Sequence, residues 1–172
     1  MAHPPVIIVD TNDQVVGEAK LDEARQKGFI YRLVFVVAID KGDRVLLQKR
    51  STHMQLYPSC WDVSAGGHVD DGHGYEEAAS YELDEELGVR GVTLHEMGHF
   101  YSDAPLWGGI LAKRFCKVYR IALDTLPEQL GEEEVEEVRW FTKDELRALV
   151  KNHPERVAEG LERSMPYILE VI

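Results

Sequence analysis

The sequence predicts a mixed α/β fold, a sheet with helices on its faces, and three stretches carry that expectation. Residues 33–39 (Leu-Val-Phe-Val-Val-Ala-Ile) are apolar at every position, which suits a strand covered on both sides. Residues 75–87 form the strongest helical stretch and are followed by Gly88, a residue suited to the left-handed turn that stops a helix. Thr142-Lys143-Asp144-Glu145 has capping-box spacing, so a helix is expected over 146–151.

The remaining elements follow in order. Val6-Ile7-Ile8-Val9 reads as a strand running into the turn Asp10-Thr11-Asn12-Asp13, with 14–18 as the return strand. Residues 21–27 read as a short helix or loop ended by Gly28. Lys41-Gly42-Asp43 is a hairpin turn into the strand 44–50. Residues 51–59 lack periodicity and read as a loop, with a short strand over 61–65 before Gly66-Gly67. Further strands are expected over 92–101, 110–123 and 138–141, and the helical pattern of 154–172 is expected to break at Pro166. No repeat or linker divides the chain, so 1–172 reads as one domain. Within it, 1–28 forms an N-terminal hairpin extension and 154–172 a C-terminal helical tail.

Bulk properties narrow the function classes. The 172 residues are 44% hydrophobic, enough for a folded core. Thirty-one acidic against 19 basic residues give a net charge of -12, which argues against nucleic acid polymers and anionic membranes as partners. It leaves a small anionic substrate open, because carboxylates that hold divalent cations create a local positive centre. Cys60 and Cys116 make no disulfide framework, so both are expected reduced and one or both partly buried. No targeting segment or membrane span is legible, and the cytoplasm is the expected compartment.

In the helix 75–87, Ala79, Leu83 and Leu87 make an apolar stripe at four-residue spacing, while Glu82, Glu85 and Glu86 stand at i, i+3 and i+4. Like charges at that spacing cost a few tenths of a kcal/mol for each pair. A hard divalent cation turns the repulsion into coordination. Three solvated surface glutamates are the plain alternative. Gly66-Gly67 and the loop Asp70-Asp71-Gly72-His73-Gly74 weigh against it, because Gly67 is free to take a backbone geometry that brings a carbonyl close to a metal.

From Gly67 to Val89 the chain resembles the Nudix box. Gly67 matches its opening glycine, and Glu82, Leu83, Glu85, Glu86, Gly88 and Val89 match its closing part at the right spacing. The resemblance implies a Nudix-type α/β/α sandwich. It implies magnesium, or manganese in its place, held by Gly67, Glu82, Glu85 and Glu86, with these three glutamates as the catalytic set. It also implies an extra carboxylate from the charge run 132–137, with Glu134 or Glu133 as the choice. Two positions depart from the box: His73 stands where a glutamate is expected and Tyr81 where an arginine is expected. Those family residues form an ion pair; a His73–Tyr81 hydrogen bond is one candidate replacement, and two surface residues with no contact are the equal alternative.

Tyr31-Arg32-Leu33-Val34, Leu46-Leu47-Gln48-Lys49-Arg50, Tyr57-Pro58-Ser59-Cys60-Trp61-Asp62 and Gly67-His68-Val69 are similar to the branch that includes isopentenyl-diphosphate isomerase and hydrolase relatives. That isomerase needs a cysteine near Gly66, where this chain has Ala65-Gly66, and a second histidine near Tyr31, which is lacking. Hydrolysis is therefore favoured over isomerisation. The substrate expected is a small diphosphate or nucleotide derivative, in particular a nucleoside diphosphate linked to another group. A nucleotide-binding module with little turnover is the alternative, and the protein is expected to be a monomer or homodimer.

Three further residues are candidates for holding substrate. Arg50 ends a strand and is placed to clamp a phosphate, with a solvated strand end as the alternative. His68, beside Gly67, is a candidate for a phosphate or base contact, or else a plain loop histidine. Trp107, in a glycine-bearing loop, is a candidate for stacking on a base, whereas Trp61 and Trp140 are expected in the core.

Overall fold

The computed structural model describes residues 4–172, so the first three residues of the expected N-terminal extension lie outside it. Among the described residues, nine strands join in one mixed sheet. Its organising element is strand β3 (Ile30–Ile39), the valine-rich run. Strands β1 (Val6–Val9), β4 (Val45–Arg50) and β6 (Ala65–His68) pair with β3 antiparallel, and β8 (Lys113–Ala122) pairs with it in parallel from Ile30↔Lys113 to Ile39↔Ala122. Strand β2 (Val15–Ala19) extends the sheet from β1, and β7 (His95–Ser102) extends it from β8. Strands β5 (Trp61–Asp62) and β9 (Val135–Phe141) both pair with β4.

Alternation along β3 and β4 divides the core into two layers. Val34, Val36, Ala38 and Leu46 face one side and meet Ala79, Leu83 and Leu87 of helix α2 (Tyr75–Leu87). Phe35, Val37, Val45 and Leu47 face the other and meet Leu146 and Leu149 of α3 (Lys143–Asn152) and Leu161, Met165 and Ile168 of α4 (Glu159–Val171). The result is the expected α/β/α sandwich. Leu83 and Leu87 are fully buried, and each stabilises the docking of α2 by about 1.5–3 kcal/mol. Trp61 lies in the second core and Trp140 packs against the first, as expected. Both cysteines are free and buried. No helix among the described residues is long and apolar enough to cross a membrane.

Helix ends agree with the residue chemistry. Gly88 caps α2 in the left-handed conformation (φ 62°). Thr142 Oγ1 accepts from the Glu145 amide, and Glu145 accepts from the Thr142 amide at 2.8 Å, closing the capping box that starts α3. Two expectations need correction. Pro166 does not break the C-terminal helix, because it lies inside α4. The missing N–H and ring clash cost about 3 kcal/mol, and burial of Leu161, Met165 and Ile168 on the second core offsets it. The single strand expected over 61–65 is two strands, β5 and β6, and β6 runs on through Gly66 and Gly67, paired with Phe35 and Val34.

Helix α1 (Leu21–Lys27) follows the β1–β2 hairpin, and Ala24 packs with Val6, Ile8, Ala19 and Tyr31 in a third cluster. Asp13, in the hairpin turn, locks this unit to the sheet. Its carboxylate accepts from Arg32 Nε at 2.7 Å and from the Tyr75 hydroxyl at 2.8 Å, and lies 3.0 Å from His99 Nε2. The start of α2 is thereby tied to the hairpin.

Candidate active site

The acidic face of α2 lies over β6. Gly67 is a glycine because the Glu82 carboxylate occupies the place where a Cβ would stand. This corrects the backbone geometry expected for Gly67: the left-handed backbone in this segment belongs to Gly72 (φ 81°), and Gly67 supplies room. Glu82 is thus pressed on the strand, and burial, followed by the charges of Glu134, Glu85 and Asp70, pushes its pKa up to about 8.

Glu86 turns inward. It is 2% exposed, and its Oε2 accepts from Gln48 Nε2 at 2.9 Å and from the Gly66 amide at 3.1 Å. Burial raises its pKa well above the usual carboxylate range, Glu82 and Glu134 add to the rise, and the two donors oppose it. Glu134 reaches the cluster from the loop before β9. That loop closes on α2 because Gly131 donates to the Glu86 carbonyl at 2.9 Å, where a Cβ would meet the Glu85 carbonyl at 2.7 Å. The Ser51 amide then holds the Glu134 carbonyl at 2.7 Å.

Glu82, Glu85, Glu86 and Glu134 are therefore one electrostatic cluster, with Glu82, Glu85 and Glu134 lining a cleft of about 430 Å³. Glu86, expected at the reacting face, stands behind them. No three His, Cys, Asp or Glu side chains among the described residues form a ready-made metal cage. The donor chemistry nevertheless fits a hard cation. All four groups offer carboxylate oxygens, their mutual charge is uncompensated within the cluster, and Gln48 Oε1 beside them is buried without a partner. Magnesium suits such a set, since it keeps several waters and takes substrate phosphates beside one or two carboxylates.

The cleft continues past His68 to an aromatic and arginine-bearing end. Tyr31, Leu33, Phe35, Tyr57 and Leu106 line it with Arg25, Arg50 and Arg114. Arg50 is there as expected, but it is already engaged, with Nη1 3.4 Å from Asp62 Oδ2 and Nε donating to the Leu56 carbonyl. His68 also lines the cleft, at the end of β6 and not in a loop, with its ring 5.7 Å from that of Tyr31. Trp107 does not line it. Its indole stands edge-on to Tyr57 at 5.5 Å, and Tyr57 is the ring that faces the cleft. Tyr57 holds a left-handed backbone (φ 52°), a conformation that costs a residue with a Cβ about 1–3 kcal/mol.

His73 and Tyr81 make no hydrogen bond to each other among the described residues. His73 is exposed, and Tyr81 lines the outer cleft beside Glu82 and Glu85. The loop is held in other ways: Asp71 donates to the Pro5 carbonyl at 2.9 Å, Ile7 to the Val69 carbonyl at 3.0 Å, and the Gly74 amide to Glu77 Oε2 at 2.9 Å. Three contacts do the bracing expected of one pair.

Residues 31–163 match the NUDIX domain. The chain belongs to the Nudix family and is a pyrophosphohydrolase of it. It is 36% identical over 162 residues to the Nudix hydrolase PA4841 of Pseudomonas aeruginosa, covering 92% of this chain and 83% of that protein. It is 31% identical over 146 residues to the Nudix hydrolase YfcD of Escherichia coli K12, covering 83% of this chain and 76% of that protein. In fold it resembles DR0079 from Deinococcus radiodurans, with a TM-score of 0.77 and 24% identity over 94% of this chain and 97% of that one. It also resembles the NUDIX domain of Shewanella oneidensis NrtR, solved with ADP ribose, with a TM-score of 0.61 and 17% identity over 81% and 86%.

All four glutamates of this Nudix cluster fall inside the matched span. Sequence reasoning missed Gln48, Tyr31 and the buried pair Arg114–Glu159. Gln48 alone carries a signal, as a polar residue directly after the apolar run Val45-Leu46-Leu47, a position that requires a hydrogen-bond partner when buried.

Proposed function

We infer that this Nudix protein is a divalent-metal-dependent hydrolase of the pyrophosphate bond in a nucleoside diphosphate linked to another group. One observation carries the reading: Glu82, Glu85 and Glu134 line a single cleft while Glu86 sits behind them, and the other end of that cleft is aromatic. When bound, magnesium or manganese supplies charge neutralisation at the phosphoryl oxygens and acidifies water. Glu82, Glu86 and Glu134 are the residues that would hold it. Glu85, the exposed member of the cluster, is the base candidate for the attacking water. Gly66 and Gln48 hold Glu86 in place, and Tyr31, His68 and Tyr57 flank the group beyond the diphosphate.

Isomerisation is not supported. Neither Cys60 nor Cys116 lines the cleft, and burial raises the thiol pKa of both, that of Cys116 to about 12. The experiment is mass-resolved product analysis over ADP-ribose, nucleotide sugars, dinucleotides, nucleoside triphosphates and prenyl diphosphates, with and without magnesium. The expected result is magnesium-dependent cleavage of a linked nucleoside diphosphate, lowered at least about 100-fold by Glu85→Gln. Cleavage that is indifferent to EDTA, or unchanged in Glu85→Gln, would overturn the reading.

A further inference from the structure

The aromatic end of the cleft has an excess of positive charge that the diphosphate reading does not use. Three guanidiniums line it, Arg25, Arg50 and Arg114, against two carboxylates, Asp62 and Glu159. Arg50 is paired with Asp62, and Arg114 makes a two-pronged pair with Glu159, with Nη2 2.8 Å from Oε1. Arg25 is different. Among the described residues no carboxylate lies within ion-pair distance of it, and its Nε points to the Tyr31 hydroxyl at 3.5 Å. A guanidinium has five N–H donors in a planar fork, and one contact leaves most of that fork available.

Position adds to the argument. Glu82 presses on Gly67, His68 follows on the same strand, the Tyr31 ring stands beside His68, and Arg25 lies beyond the Tyr31 hydroxyl. Arg25 is therefore separated from the glutamate cluster by two rings. Tyr31 is itself fully buried, so its hydroxyl is a fixed acceptor that holds the Arg25 guanidinium. Arg25 comes from α1, outside the residues 31–163 that match the NUDIX domain.

We propose that Arg25, its guanidinium held by the Tyr31 hydroxyl, forms an anion subsite, so that the preferred substrate carries a second anionic group, a phosphomonoester or a carboxylate, distal to the pyrophosphate. This rests on the diphosphate hydrolase reading and adds to it which linked groups are favoured. Arg25 binds and selects, and Tyr31 positions it. The bond broken is still the pyrophosphate.

The test uses matched pairs that differ by the distal anion: coenzyme A against its dephospho form and NADP+ against NAD+ for phosphate, and UDP-glucuronate against UDP-glucose for carboxylate. In at least one pair, kcat/KM for the anionic member is expected to exceed that for the neutral one by about 10-fold or more, the scale of one charge-assisted contact. Arg25→Ala brings that ratio down to near unity, Arg25→Lys keeps part of it, and Tyr31→Phe lowers it while leaving the ring in the core. Arg147→Gln, on the exposed face of α3, leaves it unchanged. The same pairs are titrated calorimetrically in EDTA, where the ratio of dissociation constants reads the subsite without turnover. Absence of hydrolysis throughout would sink the hydrolase reading and leave those constants to decide the subsite. Equal affinity within every pair would overturn the subsite. So would an Arg25→Ala loss of equal size in both members, which places Arg25 on the shared pyrophosphate.

Discussion

At Gly67 a hydrogen in place of a side chain decides where a carboxylate stands. A Cβ there would occupy the space of the Glu82 carboxylate, so Gly67→Ala must displace Glu82 or part β6 from α2. Turnover is expected to fall at least about 10-fold with a change in Tm of a few degrees at most, because misplacing a reacting group costs more rate than stability. Near-normal turnover in Gly67→Ala would show that the Glu82 position is not needed. Protonation offers a second test. Glu82 has a folded pKa of about 8 against an ordinary value of 4.5, so between those values the folded chain holds the extra proton. Its contribution to stability is full below about pH 4.5 and is lost as pH rises through about 8. Glu86 moves in the same direction. In EDTA, Tm is expected to fall between about pH 5 and pH 8.5, and magnesium, competing with the proton for the same oxygens, should shrink the fall. Glu86→Gln should flatten the EDTA profile even as it lowers activity. A flat profile for the parent would contradict the buried placement. Part of this was legible beforehand. The i, i+3, i+4 spacing put three glutamates together on a face expected to be separate from the apolar stripe, but Glu86, three residues after Leu83 and seven after Ala79, lies on the apolar side of the helix and is buried. The role of Gly67 was hidden, since a missing side chain does not announce what fills its space.

Elements were read best where local chemistry acts alone. The Thr142 box, the Gly88 stop and the doubly covered strand β3 depend on a few neighbouring residues, and all three formed as expected. The strand was expected to end before Gly66-Gly67 and the last helix to break at Pro166, because these residues carry poor local propensity for the elements they occupy, and tertiary contacts override it. The hairpin lock was invisible for a related reason: Asp13 meets Tyr75 across 62 residues and Arg32 across 19. Tyr75→Phe removes one hydrogen bond to a charged acceptor and is expected to cost about 1–2 kcal/mol in urea unfolding, with turnover little changed. A loss of turnover larger than the loss of stability would mean that the lock sets the pitch of α2 over the cleft.

Across the whole molecule, the pair Arg114–Glu159 joins β8 to α4 beneath the cleft, with side chains 2% and 9% exposed. Leaving one charge there without its partner is expected to cost about 3–5 kcal/mol. Glu159→Gln should therefore destabilise strongly, and the double change Arg114→Met with Glu159→Leu should recover part of the loss. If the double variant were less stable than the single one, the pair would be contributing net stability of its own. The sequence offered the mixed sheet as a class, but not its wiring, because which strands pair, and in which sense, is not written in any local pattern. That wiring has a consequence for how the protein is made. Ile30 and Lys113, partners in the parallel ladder, are 83 positions apart (113 − 30), and both β6 and α2 lie between them. Loops of that span close late and slow folding. On the ribosome, the last residue of β8, Ala122, is added 35 residues after Leu87 ends the acidic helix (122 − 87). At about 5–20 residues per second, the β3 edge that receives β8 stays unpaired for about 2–7 s after α2 is complete, and in that interval its open backbone groups are the surface that chaperones would meet.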